Sequence, residues 1–184
     1  MYKRQVITGP SGVGKGTIVR KILDSHSDVW LSISATTRKP RSGEIEGEHY
    51  FFLDKKNFQE TIDSEGFLEW ASFSNNFYGT PKKIVKEKIE KGTNVLLEIE
   101  LEGARQIRKS FPEALQIFLA PPNLSELEKR IRGRGTDTEE AIRDRLAIAN
   151  KELIAKKEFD AVVVNEDIEK AFKKIEGLMG LQSL

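Results

Sequence analysis

The sequence predicts an α/β fold in which a parallel sheet is covered by helices on both faces. Two observations carry that prediction. Short apolar runs alternate with helical patterns along most of the chain, the order produced when each strand is followed by a crossover helix. The first of these runs also ends in a glycine-rich turn that opens the first helix. A length of 184 residues accommodates one such domain with inserted pieces.

Residues 5–8 form the first β-type run. A helical segment follows, with Ile18, Ile22 and Leu23 facing inward. Residues 29–37 read as a second strand. Residues 93–100, 114–120 and 159–165 read as buried strands, each short and bounded by turn or polar residues. Helical patterns fall at 101–110, 123–134, 138–158 and 167–179.

Residues 38–80 break the rhythm. They carry Gly43, Gly47, Gly66 and Gly79 and two strand-like runs, 49–53 and 67–73, with a short helical piece between. This pattern predicts a small mixed-sheet insertion that rejoins the core through a helix starting near Pro81, a favourable first-turn residue. A second irregular stretch, Gly133-Arg134-Gly135-Thr136, interrupts a basic helical region and marks a segment able to bend.

Composition narrows the function. Charged residues make up 32% of the chain, yet Lys plus Arg (30) nearly balance Asp plus Glu (29), a formal net charge of +1. Such a balance gives no global electrostatic case for nucleic acid or membrane as a partner, so anion binding must come from local clusters. The absence of cysteine excludes disulfides and thiolate metal sites and fits a reducing compartment. No signal peptide or membrane-length apolar run is visible, and a soluble cytoplasmic protein is expected.

The strongest local signal is Gly9-Pro10-Ser11-Gly12-Val13-Gly14-Lys15-Gly16-Thr17. Its glycines let the backbone curl until successive N–H groups point at one anion, and the helix start adds its positive dipole end. Lys15 supplies a mobile charge for the β- and γ-phosphates of a nucleotide. The strict pattern has Ser or Thr directly after the lysine. Here Gly16 takes that place and Thr17, one position further on, is the nearest hydroxyl, so the loop lacks the usual magnesium-coordinating hydroxyl directly after the lysine.

The insertion is less decisive. Arg38, Lys39 and Arg41 surround Pro40, and by charge spacing alone they read as a solvated basic turn. The alternative is a bidentate phosphate grip by two guanidiniums. Tyr50 and Tyr78 could pack in strands or offer hydroxyls to a phosphate. Glu69 stands between Leu68 and Trp70 in an apolar run. It either occupies the solvent face of an edge strand or meets the paired N1–H and N2–H₂ donors of a guanine. Arg130, Arg132, Arg134, Arg143 and Arg145, interspersed with glutamates, read either as salt-bridged exposed helices or as charge directed at phosphates.

Taken jointly and in order, these residues resemble the guanylate kinase family. The resemblance runs through Gly9 to Thr17, Ser34-Ala35-Thr36-Thr37-Arg38 with Pro40-Arg41, and Gly43 onward to Glu48-His49-Tyr50. It continues with Phe67-Leu68-Glu69-Trp70-Ala71, Asn76-Phe77-Tyr78-Gly79-Thr80-Pro81, Gly103-Ala104 and Arg132-Gly133-Arg134-Gly135-Thr136. It covers essentially the whole chain.

The resemblance implies a P-loop nucleoside monophosphate kinase core, residues 1–33, 81–123 and 156–184. A mixed-sheet GMP-binding insertion at 34–80 and a helical lid at 124–155 complete it. It implies transfer of the γ-phosphoryl group of ATP to GMP, with dGMP a further acceptor and Mg²⁺ accompanying ATP. Arg38, Arg41, Tyr50 and Tyr78 would hold the acceptor phosphate, and Ser34, Glu69 and Thr80 the guanine. Lys15, Arg38, Arg134 and Arg145 would neutralise the transferring group. Arg130 and Asn165 would lie beside the adenine.

Departures from the family pattern are Glu98 and Glu100 where two aspartates are usual, Glu102 where Gln is common, and Gly16 where Ser is frequent. Glu98 and Glu100 keep their charge but reach one methylene further towards magnesium-bound water or guanine. Two other readings stay open: a catalytically inactive interaction module of the same shape, and a kinase of another small phosphorylated acceptor. His26 and His49 read as structural or surface residues, and no general base is predicted. The partners expected are the two nucleotides alone, for a monomer or small homo-oligomer.

Overall fold

The computed structural model describes residues 4–73, 75–133, 135 and 138–181. Its main sheet is built on β1 (Arg4–Thr8), which lies between β7 (Asn94–Glu98) and β8 (Leu115–Ala120). β2 (Val29–Leu31) pairs with β7 at one edge and β9 (Ala161–Val164) with β8 at the other, and every pairing is parallel. Apolar residues on both faces of the central strands dictate this arrangement, because such strands need helices on each side.

The pleat sorts the core into two halves. Ile7 and Leu96 face a cluster built from α1 (Lys15–Ser25), α5 (Leu124–Arg132), α6 (Glu139–Ile154) and α7 (Ile168–Met179). Their neighbours Val6, Val95 and Leu97 face the opposite cluster, where α3 (Lys82–Glu90) and α4 (Leu101–Ser110) pack. Fully burying one such side chain contributes about 1.5–3 kcal/mol, so both helical layers are firmly attached. His26, at the end of α1, is buried against Glu176 of α7, with 2.7 Å between Nε2 and Oε1. It is structural.

The second sheet has the order β4-β3-β6-β5, from β3 (Ala35–Thr36), β4 (Phe51–Phe52), β5 (Phe67–Phe73) and β6 (Asn76–Pro81). It is mixed: β3 runs parallel to β4, whereas β6 runs antiparallel to β3 and β5. α2 (Lys55–Asp63) covers it with Phe58, whose ring lies 4.5 Å from Phe67 and 5.6 Å from Phe77. That aromatic cluster is a small core of its own.

Residues 29–37 are not one strand. The apolar run ends at Leu31, Ser32 still donates its N–H to Leu96 of the main sheet, and Ser34 already accepts from Phe51 of the second. The chain changes sheets between those two serines. The 49–53 run shrinks to Phe51–Phe52, because 45–50 form a turn in which His49 Nδ1 accepts from the Ile45 N–H at 3.1 Å. Pro81 closes β6 and caps α3 rather than starting it. The last turns of the 138–158 helix are 3₁₀ over Ala155–Glu158.

Side chains of Asp54, Asn123, Thr138 and Asp167 cap α2, α5, α6 and α7 by accepting backbone N–H groups. Helix α1 has no side-chain cap, like α3 and α4, and starts after Gly14 in a left-handed conformation. Its first N–H groups therefore point into the glycine-rich turn. No helix among the described residues is long and apolar enough to cross a membrane.

Candidate active site

Ile7 lies opposite Glu98 in the β1–β7 register, so the glycine-rich turn and the residues after β7 emerge at the same carboxyl edge. Gly9 begins that turn at φ 149, and a Cβ there would fall 2.2 Å from the Leu119 carbonyl oxygen. Only glycine passes. Val13 donates its N–H back to Pro10 at 3.2 Å, closing the curl that also carries Ser11 and Gly12. The Lys15 ammonium donates to the Gly9 carbonyl across the mouth of the loop. A Cβ on Gly16 would meet nothing within 4 Å, so packing does not impose glycine there, and Thr17 is exposed.

Arg130 of α5 and Asn165 after β9 converge on the back of this loop. Asn165 Nδ2 donates to the Val13 carbonyl at 2.8 Å, and Arg130 donates to the carbonyls of Asn165 (3.0 Å) and Val13 (3.4 Å). A Cβ on Gly14, which sits at φ 103, would lie 2.6 Å from that Asn165 nitrogen. Arg130 and Asn165 are thus locked to the loop. Arg132 differs: it is exposed and paired with Glu128 and Glu139 on the surface.

Acidic groups gather around Lys15. Burial pushes the Glu98 carboxyl above its usual range, against the pull of the Lys15 charge and with a push from Glu100. Glu152 of α6 behaves alike: burial raises it, the Glu100 charge adds to the rise, and Lys15 opposes it. Sequence reasoning missed Glu152. Its signal was helical spacing, since Arg145, buried Ala149 and Glu152 recur at i, i+4 and i+7 on one face. Arg145 is half-buried on that face. Arg134 lies outside the described residues.

In the second sheet, Arg38, Tyr50 and Tyr78 come together. The Arg38 guanidinium lies 5.3 Å from the Tyr50 ring centroid, and the Tyr50 and Tyr78 rings meet edge-on at 6.2 Å. Burial raises the Tyr50 hydroxyl above its ordinary value. Arg38 is bonded by both terminal nitrogens to Glu44, a residue to which sequence reasoning gave no role. That pairing keeps Arg38 charged and pulls Glu44 down to about 2. Arg41 is exposed, and its backbone N–H joins the same carboxylate at 2.7 Å. The bland reading of a solvated turn fits Lys39 and Arg41, but not Arg38.

Glu69 is buried at 7% exposure, so it does not occupy a solvent face. The β5–β6 register shifts between Phe67 and Trp70, and this irregularity turns Glu69 inward beside Leu68. Thr80, fully buried, donates its hydroxyl to Oε1 at 2.6 Å. A Cβ on Gly103 of α4 would lie 2.5 Å from Oε2, so glycine there makes room for the carboxylate. Burial raises the Glu69 carboxyl, with the bonds from Thr80 opposing the rise. One step beyond the pairing of Ala35 with Gly79, the same register sets half-buried Ser34 beside Thr80.

Two pockets of chemistry result: an uncapped helix start with a lysine and carboxylates on the main sheet, and an arginine–tyrosine–carboxylate set on the second. Residues 1–182 match the profile of the family described as guanylate kinase. The chain is 89% identical over 177 residues to a guanylate kinase of Prochlorococcus marinus (strain NATL2A), covering 96% of this chain and 95% of that protein. It is 61% identical to that of strain MIT 9313, over 97% of this chain and 95% of the relative. A crystal structure of guanylate kinase from Anaplasma phagocytophilum superposes with a TM-score of 0.76 at 31% identity, covering 96% of this chain and 84% of that one. With a family profile matched along nearly its whole length and relatives at this identity, the chain belongs to the guanylate kinase family.

Proposed function

We propose that this protein transfers the γ-phosphoryl group of ATP to GMP, and to dGMP, giving ADP and the nucleoside diphosphate. The observation that carries the choice of acceptor is Glu69. A carboxylate buried in a protein needs donors, and the hydroxyl and backbone of Thr80 bond it without neutralising its charge. The Watson–Crick edge of guanine presents two adjacent N–H donors, whereas adenine presents an acceptor beside its amine. Turnover of GMP by the wild-type protein and its loss in Glu69→Gln, with ATP binding retained, test the reading.

Donor and acceptor take separate places. Residues 9–17 hold the ATP phosphates, with Arg130 and Asn165 beside the adenine, and the segment 34–80 holds GMP. There Arg38, Arg41, Tyr50 and Tyr78 take the phosphate, and Ser34, Glu69 and Thr80 take the base. Residues 124–155 act as a lid. Closure of lid and insertion onto the core excludes water from the γ-phosphate. Phosphoryl transfer through a loose transition state needs alignment and charge neutralisation rather than covalent chemistry. Lys15, Arg38, Arg134 and Arg145 supply the charge. The attacking phosphate oxygen of GMP is already anionic, so no general base is required.

Among the described residues no group of three acidic or histidine side chains could hold a metal ion by itself. Mg²⁺ does not demand one, since it keeps several waters and uses one or two carboxylates plus substrate phosphates. Glu98 and Glu100, which share the neighbourhood of Lys15, fit that pattern. When bound with ATP, the ion neutralises charge on the β- and γ-phosphates. A chain without cysteine suits the reducing cytoplasm, where we place this activity.

A further inference from the structure

We infer that Glu44 is a positioning residue for the acceptor phosphate, holding the Arg38 guanidinium by one edge so that its remaining N–H groups face the Tyr50 and Tyr78 hydroxyls, where phosphate oxygens would join them. The inference rests on the reading of residues 34–80 as the GMP site and adds to it a residue that reading does not use.

The stereochemistry of the guanidinium carries the argument. The group has five N–H donors in a rigid planar fork, which offers more than one two-pronged edge. In Arg38, Nη1 donates to Glu44 Oε2 at 2.9 Å and to the Lys39 carbonyl at 2.8 Å, while Nη2 donates to Glu44 Oε1 at 2.8 Å. The end-on edge is therefore filled, and so is the outer hydrogen of Nη1. The Nε hydrogen and the second Nη2 hydrogen lie side by side on the neighbouring edge. Two parallel N–H groups are what a phosphate accepts best. Tyr50 and Tyr78, the two hydroxyl-bearing rings of this region, flank the same guanidinium and hydrogen-bond with it, so a phosphate bound there meets the guanidinium and both hydroxyls together.

Glu44 also organises Arg41. Its Oε2 accepts the Arg41 N–H at 2.7 Å, and its own N–H returns to the Arg41 carbonyl at 3.1 Å. Gly43 makes that turn possible at φ 84, a conformation other residues adopt only under strain. One carboxylate thus fixes the side chain of Arg38 and the backbone of Arg41. The pair is sheltered, with side-chain exposures of 14% for Arg38 and 16% for Glu44, so solvent screens it less than a surface bridge. Without it, a long side chain regains its rotamers and must be ordered again for every phosphate bound.

A carboxylate on a phosphate-binding arginine can also act as a competitor for the phosphate. Competition requires the filled edge to be the only usable one. In Arg38 it is not.

The test is calorimetric binding of GMP and of guanosine to the wild-type protein, Glu44→Gln and Glu44→Asp. Guanosine carries the base without the phosphate and reports on the base pocket alone. In Glu44→Gln, GMP affinity is expected to fall about tenfold or more while guanosine stays within about twofold, in keeping with the loss of charge-assisted bonds. In turnover the loss appears in KM for GMP, with KM for ATP unchanged, and Glu44→Asp recovers part of it. Tighter GMP binding by Glu44→Gln would make Glu44 a competitor and overturn the inference. Equal binding of GMP, or parallel loss of guanosine, would overturn it too. A wild-type protein that binds no GMP would overturn the acceptor reading itself, and the inference with it.

Discussion

Thr80 donates its hydroxyl to Glu69 at 2.6 Å, and both side chains are buried where the second sheet meets α4. A carboxyl raised by burial is a cost to folding once it ionises. Its folded pKa lies above the unfolded one, so the folded state binds the proton more readily. Its contribution is most favourable below the ordinary carboxyl range and is lost as pH rises through the raised value.

Glu69→Gln is therefore predicted to trade stability against activity. The amide keeps an acceptor for Thr80 and removes the buried charge, so Tm at neutral pH rises relative to the wild type. That difference shrinks as pH falls through the raised Glu69 value and is gone below the ordinary carboxyl range. GMP turnover falls about a hundredfold or more through lost charge-assisted bonds, while ATP binding is retained. In the wild type, KM for GMP rises as pH falls through the raised Glu69 value. Thermal melts and kcat/KM measured across pH check all three.

Arg130 and Arg132 stand two residues apart on α5, and their substitutions should diverge. Arg132→Ala breaks exposed ion pairs with Glu128 and Glu139, which are worth about 0–1 kcal/mol each, so stability and kinetics change little. Arg130→Ala removes donors to Val13 and Asn165 behind the phosphate loop. KM for ATP is predicted to rise by about tenfold with KM for GMP unchanged. Steady-state kinetics with each substrate varied separately distinguish the two.

Glu152 presents a half-buried carboxylate from α6 to Lys15 and Glu100. Its raised pKa marks it, like Glu69, as a charge the fold tolerates rather than needs. Glu152→Gln relieves repulsion from Glu100 and is predicted to raise Tm at neutral pH by about 1–3 °C. A lowered Tm in a differential melt would show instead that attraction to Lys15 dominates.

The sequence made the phosphate loop legible because its glycines are demanded by the local backbone: Gly9, Gly12 and Gly14 sit at φ 149, 88 and 103. Strands β7 and β8 were legible because burial on both faces leaves continuous apolar runs, and β9 because its Ala-Val-Val-Val run is apolar even at the sheet edge. The second sheet was harder. Its strand β6 contains Asn76, Gly79 and Pro81, which read as turn residues, and one of its two pairing partners, β3, is distant in sequence. The passage between sheets at Ser32 and Ser34 is set by hydrogen bonds to Leu96 and Phe51, which no local pattern records. The inward aim of Glu69 depends on a register shift, and the role of Glu44 on the orientation of one guanidinium. Both are tertiary facts.

The central claim is that the chain moves phosphoryl groups from ATP to a guanine nucleotide, and one assay addresses it most directly. ADP release is followed with Mg·ATP and, separately, GMP, AMP, UMP and CMP, with Lys15→Ala as the control. Rapid turnover with GMP alone, abolished in Lys15→Ala, is the predicted result. Equal turnover of AMP, or no turnover of any monophosphate by folded protein that still binds ATP, would contradict it.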